Sequence, residues 1–179
     1  MGEIPPLFHS LEFDGPFSRC LTCRQDFKEI DEPYTITKVF RGQECVFEYA
    51  MCLSCRHDMM ESFSEESRQT MNDFFEENDH IQKREERLGE SENYEDWIQE
   101  CATCAKPLAG LKEYSLGCMA FDHNMVVGPF PMMVCAECES KIQSRLSKAT
   151  RDQWDKFILD NFEGPPADAL KPDGVPVLV

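Results

Sequence analysis

Cysteine is the residue type in this sequence with the clearest capacity for chemistry. The chain has 179 residues, ten of them cysteines, and eight of the ten fall in four C-x-x-C pairs. A single C-x-x-C pair is ambiguous, because it also occurs as a redox motif. Four pairs at similar intervals instead predict two sites of four cysteines each. The predicted sites are site 1, with Cys20, Cys23, Cys52 and Cys55, and site 2, with Cys101, Cys104, Cys135 and Cys138.

Four thiolates are suited to binding a metal ion. Zinc prefers tetrahedral coordination by sulfur and nitrogen, and a two-residue spacer lets one tight turn present two of the four sulfurs. The N-terminus has neither the positive start nor the apolar stretch of a signal peptide, and in the cytosol thiols stay reduced. We therefore predict two Zn²⁺ ions per chain and a cytoplasmic location.

Catalysis is not expected from such sites. A catalytic zinc ion keeps one position for water or substrate, whereas four protein thiolates fill the tetrahedron. Among the histidines, His57 lies two residues after Cys55 and is an alternative ligand by position. We expect His57 to face solvent, because the set of four cysteines is already complete. No catalytic residue is predicted, and the chain is expected not to be an enzyme.

The net charge narrows the choice of partner. The formal charge is -16 at pH 7, and it becomes about -20 when eight thiolates hold two divalent ions. A field of this sign repels the phosphates of nucleic acids and favours a basic partner. The longest uncharged run in the C-terminal half, from Met125 to Ala136, is too short to span a bilayer, so no membrane partner is expected.

The two halves of the chain resemble each other beyond the cysteines. A shift of 83 residues aligns Cys52 to Asn78 with Cys135 to Asn161 without a gap. Ser64, Arg68 and Phe74 each meet an identical residue in this alignment. This self-similarity predicts an internal duplication, in which two related units form a pseudo-symmetric pair.

Each half is predicted to contain a β-hairpin followed by helices. Residues 34–40 and 45–49 are rich in β-branched and aromatic residues around a turn, and residues 114–121 and 125–127 repeat this pattern. Apolar residues then recur at helical spacing after each second cysteine pair. Ser64 and Ser147 are predicted N-caps of a second helix in each half. The apolar positions predicted to be buried are Met59, Phe63, Met71, Phe74 and Phe75, with Ile142, Leu146, Trp154, Phe157 and Ile158.

The order of knuckle, hairpin and helix resembles the treble-clef class of zinc fingers. The resemblance is one of layout and covers residues 20–78 and 101–161, and the sequence departs from the class in having no glycine after Cys23 or Cys104. It implies an α+β fold of two treble-clef-like modules. The predicted division is an N-terminal arm (1–13), zinc module 1 (14–90), zinc module 2 (91–163) and a proline-rich tail (164–179). A zinc ribbon is the alternative layout.

Other residues leave alternatives open. Cys45 and Cys118 lie outside the pairs and are predicted to be small buried side chains, with a regulatory thiol or a fifth metal ligand as the alternatives. The helix after site 2 carries a group of basic residues, Lys141, Arg145, Lys148 and Arg151. Three functions follow: a non-catalytic adaptor that binds another protein, a nucleic-acid-binding protein that uses these basic residues, and a thiol-based metal or redox sensor. The net charge favours the adaptor.

Overall fold

The computed structural model describes residues 2–76, 78–89, 91–128 and 130–162. These residues form six α-helices, six strands and a 3-10 turn at Pro6–Phe8. The first half contains β1 (Gly2–Glu3), β2 (Tyr34–Arg41), β3 (Glu44–Cys52), α1 (Leu53–Glu61), α2 (Glu65–Glu76) and α3 (Asp79–Leu88). The second half contains α4 (Tyr94–Ile98), β4 (Glu113–Phe121), β5 (Asn124–Val126), β6 (Met132–Cys135), α5 (Ala136–Arg145) and α6 (Lys148–Asn161). The predicted tail (164–179) lies outside the described residues.

All six strands belong to one antiparallel sheet. Its order is β1-β5-β4-β2-β3, and β6 pairs with β4 beside β5. The strands β2 and β4 lie next to each other over their whole length, from Tyr34 opposite Ala120 to Arg41 opposite Glu113. The hairpins predicted for the two halves therefore share one sheet. The sequence did not predict β6, because its four residues lie inside an uncharged run without alternation between polar and apolar positions.

The central strand β2 is buried on both faces. Its residues are buried from Tyr34 to Lys38, and its tyrosine ring stacks on Phe27 at a centroid distance of 3.8 Å. Burial of Lys38 is tolerated because its ammonium group pairs with the Glu48 carboxylate at 3.0 Å and donates a hydrogen bond to the backbone oxygen of His9. This strand forms the centre of the core.

The N-terminal residues pack on the sheet. Ile4 and Phe8 are buried, and β1 pairs with β5. The Glu48 carboxylate accepts hydrogen bonds from the Ser10 hydroxyl at 3.0 Å and from the Leu11 amide at 2.7 Å. Lys38 and Glu48 thus attach the segment predicted as an arm to two strands of the first half.

The helices begin where their capping residues indicate. The Ser147 hydroxyl accepts a hydrogen bond from the Thr150 amide, and the Ser64 hydroxyl accepts one from the Ser67 amide, both at 3.2 Å. These bonds confirm the two predicted N-caps. Of the apolar positions predicted to be buried, six are buried: Phe63, Met71, Ile142, Leu146, Trp154 and Ile158. The prediction is wrong for Met59, Phe74, Phe75 and Phe157, which are half-buried.

The connection between the halves forms two helices. Arg84 of α3 is only 2% exposed, and its guanidinium donates hydrogen bonds to the backbone oxygens of Trp97 and Pro131, each at 2.6 Å. It also lies over the Trp97 ring, 4.7 Å from the ring centroid. The connection, which is acidic in composition, is therefore held in place by a buried cation.

The two unpaired cysteines lie far apart. Cys118 is fully buried, as predicted, whereas Cys45 is half-buried. Cys118 stands opposite Ile36 and Cys45 opposite Phe40, on the two sides of β2. Four residues along a strand span about 13 Å, so the two thiols cannot form a disulfide with each other.

Candidate metal centres

Each site begins with a tight turn that carries its first two cysteines. In the first turn, the Cys20 amide donates a hydrogen bond to the backbone oxygen of Gln25, and the Arg24 amide donates one to the backbone oxygen of Cys20, both at 3.0 Å. In the second turn, the Cys101 amide donates a hydrogen bond to the backbone oxygen of Lys106, and the Ala105 amide donates one to the backbone oxygen of Cys101, both at 2.8 Å.

The residue directly after the second cysteine of each turn lies in the left-handed region. Its φ is 63° at Arg24 and 56° at Ala105. Glycine is the residue that favours this region, and the sequence has none at either position. The two turns thus keep the expected geometry despite the missing glycines.

The second cysteine pair of each site comes from the junction of a strand and a helix. Cys52 ends β3 and is the N-cap residue of α1, so Cys55 lies in the first helical turn. Cys135 ends β6 and is the N-cap residue of α5, so Cys138 lies in the first turn of that helix. Two residues of spacing at a helix start bring both sulfurs to the same side.

Backbone hydrogen bonds join the turn of each site to its strand. The amide of Leu21 donates to Ala50 of β3, and the amide of Ala102 donates to Met133 of β6, both at 2.8 Å. Each acceptor lies two residues before the cysteine that ends its strand. This bond sets the distance between the two cysteine pairs.

The sulfur positions fit a tetrahedral metal ion. In each cluster the four sulfurs lie within 4.8 Å of one another. The Sγ atoms of Cys23 and Cys52 are 3.9 Å apart, and those of Cys104 and Cys135 are 3.7 Å apart. Four sulfurs at about 2.3 Å from a tetrahedral zinc ion lie about 3.8 Å from each other. The structure therefore brings together both predicted sets of cysteines at a spacing that suits zinc.

The environment of the sulfurs favours one thiolate in each cluster. Burial opposes a charge on Cys20, but amide donors from Cys23, Cys52 and Thr22 outweigh it and lower its pKa. A hydrogen bond from Cys138 lowers the pKa of Cys101 to about 4. Burial raises the pKa of other ligands, to about 12 for Cys55 and to about 11 for Cys135. A metal ion must therefore displace protons from these thiols when it binds.

The two clusters differ in exposure. In site 1, Cys20 and Cys52 are buried, Cys55 is half-buried and Cys23 is exposed. In site 2, only Cys104 is half-buried and the other three are buried. His57 is exposed, as expected, and each four-sulfur cluster is formed by cysteines alone.

The basic residues of the second half are partly neutralised by acidic neighbours. Lys141 pairs with Glu137 at 3.1 Å, and Lys148 pairs with Asp152 at 2.6 Å. Arg151 donates a hydrogen bond to the backbone oxygen of Leu146, and Arg145 is exposed. The matched Arg68 of the first half pairs with Glu61 at 2.6 Å. These contacts weaken the case for the basic group as a binding surface for phosphates.

Four hydroxyl groups that join the halves were not predicted as a contact. The Ser64 and Ser147 hydroxyls are 2.9 Å apart, the Ser64 amide donates to the Thr150 hydroxyl at 3.0 Å, and the Ser147 amide donates to the Ser67 hydroxyl at 2.9 Å. From their equivalent positions in the aligned halves, the sequence predicted helix caps but no contact between the two halves.

Fold and clusters together define a mixed helix and antiparallel-sheet protein with two four-cysteine sites, each able to hold a metal ion. Comparisons with protein-family models, with curated proteins and with solved structures found no significant match. Among the described residues, no helix has the length and apolar character needed to cross a membrane.

Proposed function

We propose that this chain is a non-catalytic, zinc-stabilised binding protein that recognises another protein. The observation that carries the proposal is a set of large apolar side chains left in solvent in the N-terminal segment and in the last helix. Leu11 and Phe13 are each 65% exposed, and Leu159 is 67% exposed. Clustered exposed apolar residues mark interaction sites more often than they occur without a role.

Phe13 and Leu159 border a groove with a volume of about 770 Å³. One wall is the N-terminal segment, another is the turn that carries Cys20, and a third is the end of α6 at Phe162. Charges of both signs lie along the same groove, with Glu12 and Asp160 beside Arg19 and Arg24. A groove that combines apolar side chains with charged groups suits a protein segment that buries a few apolar side chains.

The absence of catalysis is also part of the proposal. Four thiolates around each metal leave no coordination position for a substrate, and both clusters have that composition. We expect the zinc-loaded chain to show no turnover that survives repurification and disappears when one residue outside the metal ligands is replaced.

We further propose that the two sites belong to treble-clef-like modules that arose by duplication. Tyr34 opens β2 opposite Cys52, and Tyr114 lies opposite Cys135 in β4. The pairing of β2 with β4 has the same symmetry. Tyr34 pairs with Ala120, and the equivalent tyrosine of the second half, Tyr114, pairs with Phe40. The reciprocal bonds of the serine and threonine hydroxyls have the same symmetry.

The partner is proposed to have a basic surface. The net charge of -16 and the acidic first turn of α2, with Glu65 and Glu66, give a field that attracts cations. Association with such a partner should slow as the salt concentration rises, because exposed charges are screened beyond about 8–10 Å at physiological salt. The same field disfavours nucleic acid.

A capture experiment with matched variants tests this function. Zinc-loaded chain is used to capture partners from the source lysate, beside the double variant Phe13→Glu and Leu159→Glu. The control, Gln69→Glu with Ala149→Glu, adds the same charge at exposed positions of α2 and α6 away from the groove. We expect a protein that binds the original and control chains and fails to bind the groove variant, while zinc content stays equal.

Two results would overturn the proposal. One is capture that is the same for the groove variant and the control. The other is sub-micromolar binding of duplex DNA at about 150 mM salt, where non-specific binding is usually far weaker.

A further inference from the structure

The two clusters have the same ligands but different access to solvent. Cys23 of site 1 is exposed and Cys55 is half-buried. The equivalent cysteines of site 2 are Cys104, which is half-buried, and Cys138, which is 4% exposed. An incoming ligand can therefore approach site 1 from the side of both Cys23 and Cys55.

A cavity leads to site 1 from this side. It has a volume of about 330 Å³ and reaches Cys55, with Thr22 from the turn, Met59 from α1, and Gln153 and Lys156 from α6 in its lining. The groove described above also borders Cys20 of the same site, but Cys20 itself is fully buried. Open space therefore reaches site 1 at Cys55.

The turn of site 2 has an additional contact from the connection between the halves. The Sγ atom of Cys101 lies 3.3 Å from the Thr103 hydroxyl and accepts a hydrogen bond from the Cys135 amide at 3.4 Å. The backbone of Thr103 in turn accepts a hydrogen bond from the Asn78 side chain at 3.1 Å. In site 1 the equivalent sulfur, that of Cys20, also has amide donors, and the exposed sulfur of Cys23 contacts the Gln25 side chain at 3.7 Å. Outer contacts of this kind orient metal ligands and strengthen metal binding.

We propose that site 1 is an exchangeable zinc site, which gives its ion to a thiol-bearing acceptor, while site 2 is structural. An acceptor thiol loses its proton to solvent and binds the zinc ion as a thiolate. Cys23 leaves the ion and takes up a proton, and a second acceptor thiol replaces Cys55 in the same way. Zinc stays divalent throughout, so the transfer requires no oxidant. The ion then leaves with the acceptor when Cys20 and Cys52 are replaced.

This inference goes beyond the proposed function, and either one can fail without the other. The turn of site 1 forms one wall of the groove, with Arg19, Leu21 and Arg24. If the groove binds a protein as proposed, release of zinc from site 1 would also weaken that binding. The transfer of zinc itself does not depend on a partner.

Zinc release from the full-length, zinc-loaded chain provides the test. Excess dithiothreitol serves as the acceptor, and the dye 4-(2-pyridylazo)resorcinol reports the released zinc. We expect two phases of one equivalent each, with rates that differ by about tenfold or more, since outer contacts change metal affinity by about 10–100-fold. The fast rate should rise in proportion to the dithiothreitol concentration, because the incoming thiol takes part in the exchange.

Alkylation assigns the phases to the sites. Quenching with iodoacetamide after the fast phase, followed by mass spectrometry, should label Cys20, Cys23, Cys52 and Cys55 and leave the site 2 cysteines unlabelled. A single phase of two equivalents, earlier labelling of site 2, or a fast rate independent of dithiothreitol would each overturn the proposal.

A variant that fills the cavity tests the route of entry. Gln153→Phe places a larger side chain in the lining, and we expect it to slow the fast phase and leave the slow phase unchanged. Ala149→Phe, at an exposed position of the same helix, is the matched control and should change neither phase. Equal fast rates for Gln153→Phe and the original chain would contradict entry through this cavity.

Discussion

Site 1 and site 2 have the same ligand spacing and a similar local geometry, yet only site 2 is enclosed. The helices of the connection account for this difference. Asn78, the N-cap residue of α3, contacts the turn of site 2, and Arg84 holds the backbone at Trp97 and Pro131 close to it. The segment before site 1 places Phe8 and Phe17 in the core but leaves Cys23 exposed. Equal ligand sets therefore do not give equal metal sites, because the cover over the sulfurs comes from other parts of the chain.

The largest expected effect is the loss of one metal ion, and it should differ between the sites. Structural zinc ions contribute roughly 10–16 kcal/mol to small domains at neutral pH. Cys20→Ser should remove one equivalent of zinc and leave the second half folded. Cys101→Ser, the equivalent change in site 2, should also loosen α3, since Asn78 of α3 donates a hydrogen bond to the backbone oxygen of Thr103 in the same turn. Elemental analysis with far-UV circular dichroism measures both effects.

Cys45→Ala serves as the control for these ligand variants, because Cys45 is half-buried and lies outside both clusters. It should retain two equivalents of zinc. Loss of both ions in Cys20→Ser would contradict the separation into two sites.

The enclosure of site 2 should depend on Arg84. Arg84→Met removes the two buried hydrogen bonds to backbone oxygens, and we expect a loss of roughly 3 kcal/mol in unfolding free energy, since bonds to charged groups contribute about 1.5–3 kcal/mol each. Zinc release from site 2 should become faster, so that the two sites behave more alike. Chemical denaturation and the release assay measure these changes.

Arg87→Met is the matched control on the same helix. Arg87 is 56% exposed and pairs with Glu100 at the surface. Exposed ion pairs contribute about 0–1 kcal/mol, so this variant should change little. Equal effects of the two substitutions would show that burial of Arg84 does not hold site 2.

The helices after the two sites should also differ in their contribution to stability. Phe157 stacks on Trp154 at a centroid distance of 5.1 Å and contacts Tyr49 and Phe162. Its counterpart Phe74 has an edge contact with Phe75. Because core phenylalanines cost about 3–5 kcal/mol on replacement by alanine and both rings are half-buried, we expect about 3 kcal/mol for Phe157→Ala and less for Phe74→Ala. Urea unfolding of the pair measures the difference, and a larger loss for Phe74→Ala would contradict it.

The smallest expected effect concerns the two turns, in which the sites are most alike. Arg24→Gly and Ala105→Gly should each raise stability by about 0.5–1 kcal/mol, because glycine adopts positive φ without steric cost. Arg19→Gly, at an extended position bridged to Asp26, should instead lower stability by about 0.5–1 kcal/mol. Thermal unfolding of the zinc-loaded variants measures all three. A loss of stability in Arg24→Gly would show that its side chain matters more than its backbone conformation.

Local features of the chain were predictable because they depend on neighbouring residues. The hairpin from Tyr34 to Cys52 and the caps at Ser64 and Ser147 each follow from residue types within a short window. The strand β6 and the half-buried positions of Phe74 and Phe157 were not predicted. A short uncharged strand has no distinctive pattern, and helical periodicity identifies an apolar face without showing how much protein covers it.

The sequence by itself determined which eight cysteines form two sets, because each pair must come from one turn or one helix start. Only the tertiary structure decided that β2 and β4 join the halves in one sheet, that Arg84 is buried within the connection, and that Cys23 stays exposed. These features depend on contacts between residues far apart in sequence, whose free energies are set by packing and desolvation in the folded chain. The spacing of the cysteines therefore predicts the metal ligands of the two sites, and the difference in exposure between the sites arises from the surrounding fold.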